Sequence, residues 1–197
     1  MGTITNFTPA VNALISWQDF QTITGFPDTQ QNQTQYFINV ASQLCEDFCN
    51  RKLAAVTLTS TLNNYSVNDG LSLVLPEYPV NSITSINIDP QSLFQPATLV
   101  PSTDYWFDSK TGVVYFNGTF VPCGPQVVQV VFNAGYTTIP LTIEHAVIES
   151  VLWLNGRVQR RTTGDRTTNY DGVTTTFETT LPITIQQLLQ DYKRVIA

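Results

Sequence analysis

The chain has 197 residues, of which 42% are apolar and only 12% charged, and its net charge is −6. A chain of this length can bury roughly 70% of its unfolded surface as one domain, or one domain with an appendage, so its three cysteines are not needed as staples. The acidic balance argues against a nonspecific nucleic-acid binder, which works through basic residues that displace counterions from phosphates. No stretch approaches the ~20 apolar residues of a transmembrane helix.

The charge is unevenly placed. Residues up to Gly156 hold three basic side chains, Arg51, Lys52 and Lys110, against eleven carboxylates, whereas from Arg157 onward six basic residues face four acidic ones. The body is therefore acidic and the tail mildly basic. A surface rich in Thr, Asn, Gln and Ser suits contact with partner proteins. The opening residues do not read as a signal peptide, and the odd, poorly spaced set Cys45, Cys49 and Cys123 fits synthesis in a reducing cytoplasm.

In chain order, residues 1–14 read as an extended arm. Ser16, with Asp19 three residues on, starts a short helix over 16–24 that Gly25 ends. A long helix follows over 29–51, with Asp28 as its N-cap and Phe37, Ala41, Leu44 and Phe48 as its apolar stripe, Ile38 and Cys45 lying beside it. Its first two turns carry Gln, Asn and Thr without an apolar stripe, so they are expected to project beyond the core. From 56 to 132 six strand patterns alternate with turns: Val56–Leu62, Leu71–Leu75, Ile83–Ile88, Tyr105–Phe107, Val113–Phe116 and Val127–Phe132. The fourth and fifth should pair across residues 108–112 as an aromatic hairpin. Asp89, Asp104 and Asp108 stand at strand ends, where Asp is usually a turn former.

The run Val127–Phe132 ends at Asn133-Ala134-Gly135, and after Pro140 the period changes from two to about 3.6. Ile143, Val147, Val151 and Leu154 make the stripe of a helix over 140–155, widened by Ile148 and Leu152. Residues 156–181 form a Thr-rich, Arg-bearing segment read as a flexible loop, in which Val173 and Phe177 flank a run of β propensity. A short helix after Pro182 carries Ile185, Leu188, Leu189, Tyr192 and Ile196. The sum is an α+β chain: N-terminal helices, a mainly antiparallel β insertion covered by helices on one face, an amphipathic helix, and a C-terminal arm and helix. The body spans 1–155 and the appendage 156–197.

Three stretches carry a family resemblance. The strand ending in Ala134-Gly135-Tyr136, followed by a spacer, Pro140 and an amphipathic helix, resembles the bacteriophage head–tail connector proteins, the adaptor or head-completion subunits that dock under the portal. Leu75-Pro76-Glu77-Tyr78-Pro79-Val80-Asn81-Ser82-Ile83 is similar to that family's turn into a strand, and Ile15–Gly25 before a long helix to its opening. Together they cover about residues 14–155, with Pro79, Val80, Gly135, Tyr136 and Pro140 as structural motif positions.

The resemblance implies a structural virion protein of the neck, made in the host cytoplasm. It implies a homo-oligomeric ring, twelve-fold in the family, that contacts the portal and a tail, stopper or tail-terminator protein while genomic DNA passes through its channel without specific binding. Arg157, Arg160, Arg161, Arg166, Tyr170, Phe177 and Tyr192 are the candidate partner-binding residues, because they sit on the basic tail of an acidic chain. A single His leaves no two-histidine metal motif, and there is no phosphate loop, nucleophile elbow or C-x-x-C pair. Cys45, Cys49, Cys123 and His145 are read as thiols and a surface histidine instead of metal ligands, and no catalytic residue or cofactor is expected. The alternatives are a β-rich receptor- or glycan-binding module of a tail, motivated by Tyr105, Trp106 and Tyr115, and another neck or tail-completion protein.

Overall fold

The computed structural model describes residues 8–10, 12–64, 71–160, 166–170, 173–177 and 181–194, with residues 160, 166–170 and 173–177 described by their backbone alone. The chain divides into a helical unit, residues 1–53 and 138–197, and a β unit, Ala54–Thr137.

The helical unit opens with α1, Trp17–Thr24. The Ser16 hydroxyl caps it, accepting from the Asp19 amide at 3.1 Å while donating to the Asp19 carboxylate at 2.6 Å, and Gly25 closes it at φ 71°. That positive φ is available to glycine without a steric penalty. A 3₁₀ turn at Asp28–Gln30 leads into α2, Gln31–Cys49, which stops at Asn50 in the left-handed region. Helix α3 runs Leu141–Arg160 and α4 runs Ile183–Leu189. The sequence places the end of α3 at Asn155, but Gly156 does not break it. Glycine inside a helix costs only about 1 kcal/mol against alanine, less than the buried face of α3 supplies.

Ile143, Ala146, Val147 and Val151 of α3 are fully buried, as are Ile38, Ala41, Cys45 and Cys49 of α2 and Leu189 of α4. The stripe of α2 thus lies one position round from the expected one, with both cysteines inside it and Leu44 and Phe48 at its border. The C-terminal helix covers core, burying Ile185 and Leu189, and the Arg194 amide donates to the Cys49 carbonyl at 2.8 Å. Ile196 lies outside the described residues. Between α3 and α4 the strands β7, Arg166–Tyr170, and β8, Val173–Phe177, pair antiparallel, so the β-prone Thr run forms a hairpin.

In the β unit, β1 (Val56–Asn64), β3 (Val80–Ile88) and β6 (Gly124–Ala134) form one antiparallel sheet in the order β1-β6-β3. The strands β2 (Ser72–Val74), β4 (Tyr105–Asp108) and β5 (Val113–Phe116) form another in the order β2-β5-β4. The six strands, expected as one sheet, thus form a pair of three-stranded sheets. Val114, Phe116 and Leu73 of the second share one apolar cluster with Val80, Ile86, Val128, Val130 and Phe132 of the first. Alternation explains this: on β6 every second residue from Val128 to Ala134 is buried, which presents one apolar face for the other sheet to cover.

The predicted aromatic hairpin is β4–β5, with Trp106 opposite Tyr115 and their rings stacked at 4.2 Å. The strand-end carboxylates hold turns. Asp89 accepts the amides of Gln91, Leu93 and Phe94 at 2.9–3.1 Å. Asp108 accepts the Thr111 hydroxyl at 2.8 Å and the Lys110 amide at 3.0 Å, and these donors lower its pKa.

Candidate assembly surfaces

Four of the five motif residues converge at one end of the β1-β6-β3 sheet. The Gly135 amide donates to the Pro79 carbonyl at 2.9 Å. The Asn81 side chain donates to the Gly135 carbonyl at 3.0 Å and to Asn133 Oδ1 at 2.8 Å. Val80 is fully buried opposite Ala134, and Ser109 both accepts from its amide and donates to its carbonyl. Tyr136 accepts from the Ala55 amide at 3.1 Å. Gly135 sits at φ 109°, and a Cβ there would stand 2.4 Å from the Ala54 carbonyl oxygen, so only glycine lets these backbones meet. The fifth, Pro140, lies in the helical unit, where its carbonyl accepts the Ile143 and Glu144 amides and so opens α3. These positions fix the ends of the strands and the start of α3; their bonds frame the fold and offer no reactive group.

In the first turns of α2, Gln31, Asn32, Gln33 and Tyr36 are exposed. Thr34 and Gln35 are buried, and the polar side of the helix receives the N-terminal segment. Asn39 accepts the Ala10 amide and donates to the Thr8 carbonyl, both at 3.0 Å, and the Ser42 hydroxyl accepts the Leu14 amide at 3.1 Å. Glu46, only 2% exposed, accepts from Asn12 at 2.9 Å, from Lys52 at 2.9 Å and from the Leu53 amide at 3.1 Å. These residues escaped the sequence reading. Their signal was the spacing of Asn39, Ser42, Gln43 and Glu46, a polar stripe at helical period whose extended partner segment supplies the backbone groups.

Beside this segment a cleft of about 480 Å³ is lined by residues that include Leu14, Trp17, Gln18, Asp19, Gln31, Gln35 and Glu144. Glu144 stands in the first turn of α3, where the helix dipole favours an anion.

The predicted partner-binding residues are distributed along the C-terminal part. The Arg157 guanidinium lies over the Trp153 ring at 4.8 Å, and Arg160, three residues on, ends α3. Arg161 lies outside the described residues. Arg166 pairs opposite Phe177 at the open end of the β7–β8 hairpin, and Tyr170 opposite Val173 at its turn end. Tyr192 is half-buried in the 3₁₀ turn Gln190–Tyr192. Two arginines therefore share one helix end and three of the other residues share one hairpin.

No three His, Cys, Asp or Glu residues gather as a metal site among the described residues, and no helix among them is long and apolar enough to cross a membrane. Cys45 and Cys49 are buried, and burial pushes their thiols up to about 12 and about 11. Cys123 and His145 are exposed.

The profile of the head completion protein family matches residues 13–195. No curated protein sequence matches the chain. Among solved structures, a chain from the neck of an empty gene transfer agent particle, computed with C6 symmetry, superposes with a TM-score of 0.64 at 16% identity, covering 98% of this chain and 96% of that one. A chain from the neck of the native particle, computed with C12 symmetry, gives 0.61 at 15% identity over 100% and 97%. A chain from the virion of the native particle gives 0.60 at 14% identity over 98% and 96%. At these identities the superpositions speak for the fold, and the family profile spans nearly the whole chain: the protein belongs to the head completion protein family, structural virion proteins of the head–tail junction.

Proposed function

We propose that the chain is the subunit of a neck ring, closing as a dodecamer under the portal and passing the genome on to a stopper or tail-terminator protein. The observation that carries this is the head completion profile over residues 13–195, in a chain whose helical and β units match neck components of a phage-like particle almost end to end. Those neck structures were computed with six-fold and twelve-fold symmetry, which supports a cyclic assembly here. The work is binding without turnover. Asp89 and Asp108, two of the three strand-end carboxylates, are each committed to their own turn. An acidic body lining a channel would keep passing DNA from adhering.

In this reading residues 1–155 are the body and 156–197 the reaching segment. Arg157, Arg160, Arg161, Arg166, Tyr170, Phe177 and Tyr192 meet neighbouring proteins, while Pro79, Val80, Gly135, Tyr136 and Pro140 hold the body in shape. Negative-stain imaging and light scattering of the concentrated protein test it. Closed rings are expected; monomers that also fail to pull down the portal would refute it. One observation keeps the glycan-binding alternative in play: Trp106 is 59% exposed and stacked on Tyr115. That alternative predicts quenching of Trp fluorescence by soluble glycans, which the ring subunit does not.

A further inference from the structure

A strand at the edge of a sheet presents a row of backbone donors and acceptors that a further strand can use, and proteins blunt such edges with short strands, bulges, covering segments, charges or proline. In the β unit, three of the four edges of the two three-stranded sheets are blunted. β2 has three residues, and β4 has four with Asp108 at its end. β3 is long but irregular: its register with β6 shifts twice, the Val80 amide donates to the Ser109 carbonyl, and the Ile86 carbonyl accepts the Val100 amide.

The fourth edge, β1, shows none of these devices among the described residues. It is nine residues long, pairs with β6 alone, and keeps an unbroken register from Val56 to Leu62. It carries no proline and no charge. β3 and β6 carry no charge either, so the whole sheet is neutral in a chain of net charge −6. Leu58 and Leu62 pack against the apolar cluster, while Thr57, Thr59 and Thr61 are exposed on the opposite face.

We propose that β1 is a self-pairing edge, which joins antiparallel to β1 of a second copy about a two-fold axis at Thr59. The strand is self-complementary about that residue: Thr59 faces its own copy, Thr57 faces Thr61, Leu58 faces Ser60 and Val56 faces Leu62. Each pair lies at an even spacing, so outward-pointing backbone groups meet outward-pointing ones and each face of the sheet meets its like. On the exposed face Thr then meets Thr, a cross-strand pair that stabilises sheets, and on the other face Val56 and Leu62 of the two copies extend one apolar surface.

Charge selects a second copy as the occupant. Two acidic chains repel where their carboxylates approach, and this sheet is a place where they meet without any; a strongly charged partner would find no opposite charge here. The pairing is a different contact from the one that closes a ring. A ring with one rotation axis is built from head-to-tail contacts, whereas a two-fold contact is isologous and stops at two, so β1 makes a dimer of free subunits.

The test is sedimentation equilibrium of the full-length wild type and of Thr59→Lys and Thr59→Glu variants, with thermal midpoints to verify folding. The wild type should form dimers. Each variant sets like charges opposite each other at the axis and should dimerise at least tenfold more weakly. An equimolar mixture, in which Lys faces Glu, should regain wild-type dimerisation, and that recovery separates lost pairing from lost folding. A wild type that forms no dimer, variants that dimerise as the wild type does, or a mixture that does not recover each overturn the pairing. Dimers that never close into rings support the pairing and refute the ring, whereas rings that form equally from all three proteins without dimers do the reverse. Variants that keep self-association but lose capture of the portal show an edge that takes a foreign strand, which overturns the second copy as its occupant.

Discussion

The two units handle buried polarity in different ways. Among the described residues the helical unit buries Thr34, Gln35, Ser42, Glu46, Arg51 and Ser150, whereas the β unit buries only Asn64 and Asp89. Burying a polar group costs free energy unless it is hydrogen-bonded, and Ser42 and Glu46 use such bonds to hold the N-terminal segment on α2. Glu46 joins the N-terminal segment, α2 and the turn at Lys52–Leu53; Ser150 donates to Ala146 and lies against Cys45. The β unit relies instead on alternating apolar residues, which specify faces strongly and individual partners weakly. The helical unit should therefore depend on single polar groups, and the β unit on backbone geometry and packed volume.

The largest expected effect breaks the β unit at its backbone. Gly135→Ala must move the Ala54 carbonyl and hold alanine at φ 109°, and should cost roughly 3–5 kcal/mol in denaturant unfolding. A loss below 1 kcal/mol would mean that the close approach is not real. Next, Glu46→Ala should cost about 2–3 kcal/mol, because it strands the buried Leu53 amide and releases Asn12 and Lys52. If Glu46→Ala proves as mild as a surface change, the polar ties do not define the helical unit.

Val151→Ala, in the fully buried face of α3, should cost about 1–3 kcal/mol, and an unchanged melting temperature would remove α3 from the core. Trp106→Ala on the outer face of β4 should cost only about 0.5–1.5 kcal/mol, the worth of an exposed aromatic stack.

A pH dependence in the helical unit comes last because it is confined to alkaline conditions. Cys45 and Cys49 titrate near 12 and 11 when folded, above the ordinary thiol value of 9.0, so the unfolded state loses its protons first. Their contribution is fully present below pH 9 and is lost as the pH rises toward 11–12. Stability should decline over that window, and the Cys45→Ala, Cys49→Ala double variant should flatten the decline. At pH 8 iodoacetamide should label Cys123 alone.

Much of this architecture was legible because it depends on local chemistry. The Ser16–Asp19 cap, the Gly25 stop, the Trp106–Tyr115 hairpin and the start of α3 at Pro140 each follow from a few adjacent residues and a period. The Pro-Val turn and the Ala-Gly-Tyr strand end occupy short windows of sequence; that Pro79 and Gly135 bond to each other was not legible in them. Cys45 and Cys49 illustrate the limit. Four residues apart on α2, they could be read as ligands or as core, and only the packing of α3 and α4 shows them as core.

The α+β class, the order of helices and strands, the acidic body with its basic tail, and the family resemblance are all properties of neighbours along the chain and can be read there. Long-range packing sets the rest: the polar side of α2 seats the N-terminal segment, the six strands divide into two sheets that share one apolar cluster, and Gly135 must lack a side chain. Those facts depend on which distant groups satisfy a buried amide or cover an apolar face, and a one-dimensional pattern marks the need for a partner without naming it.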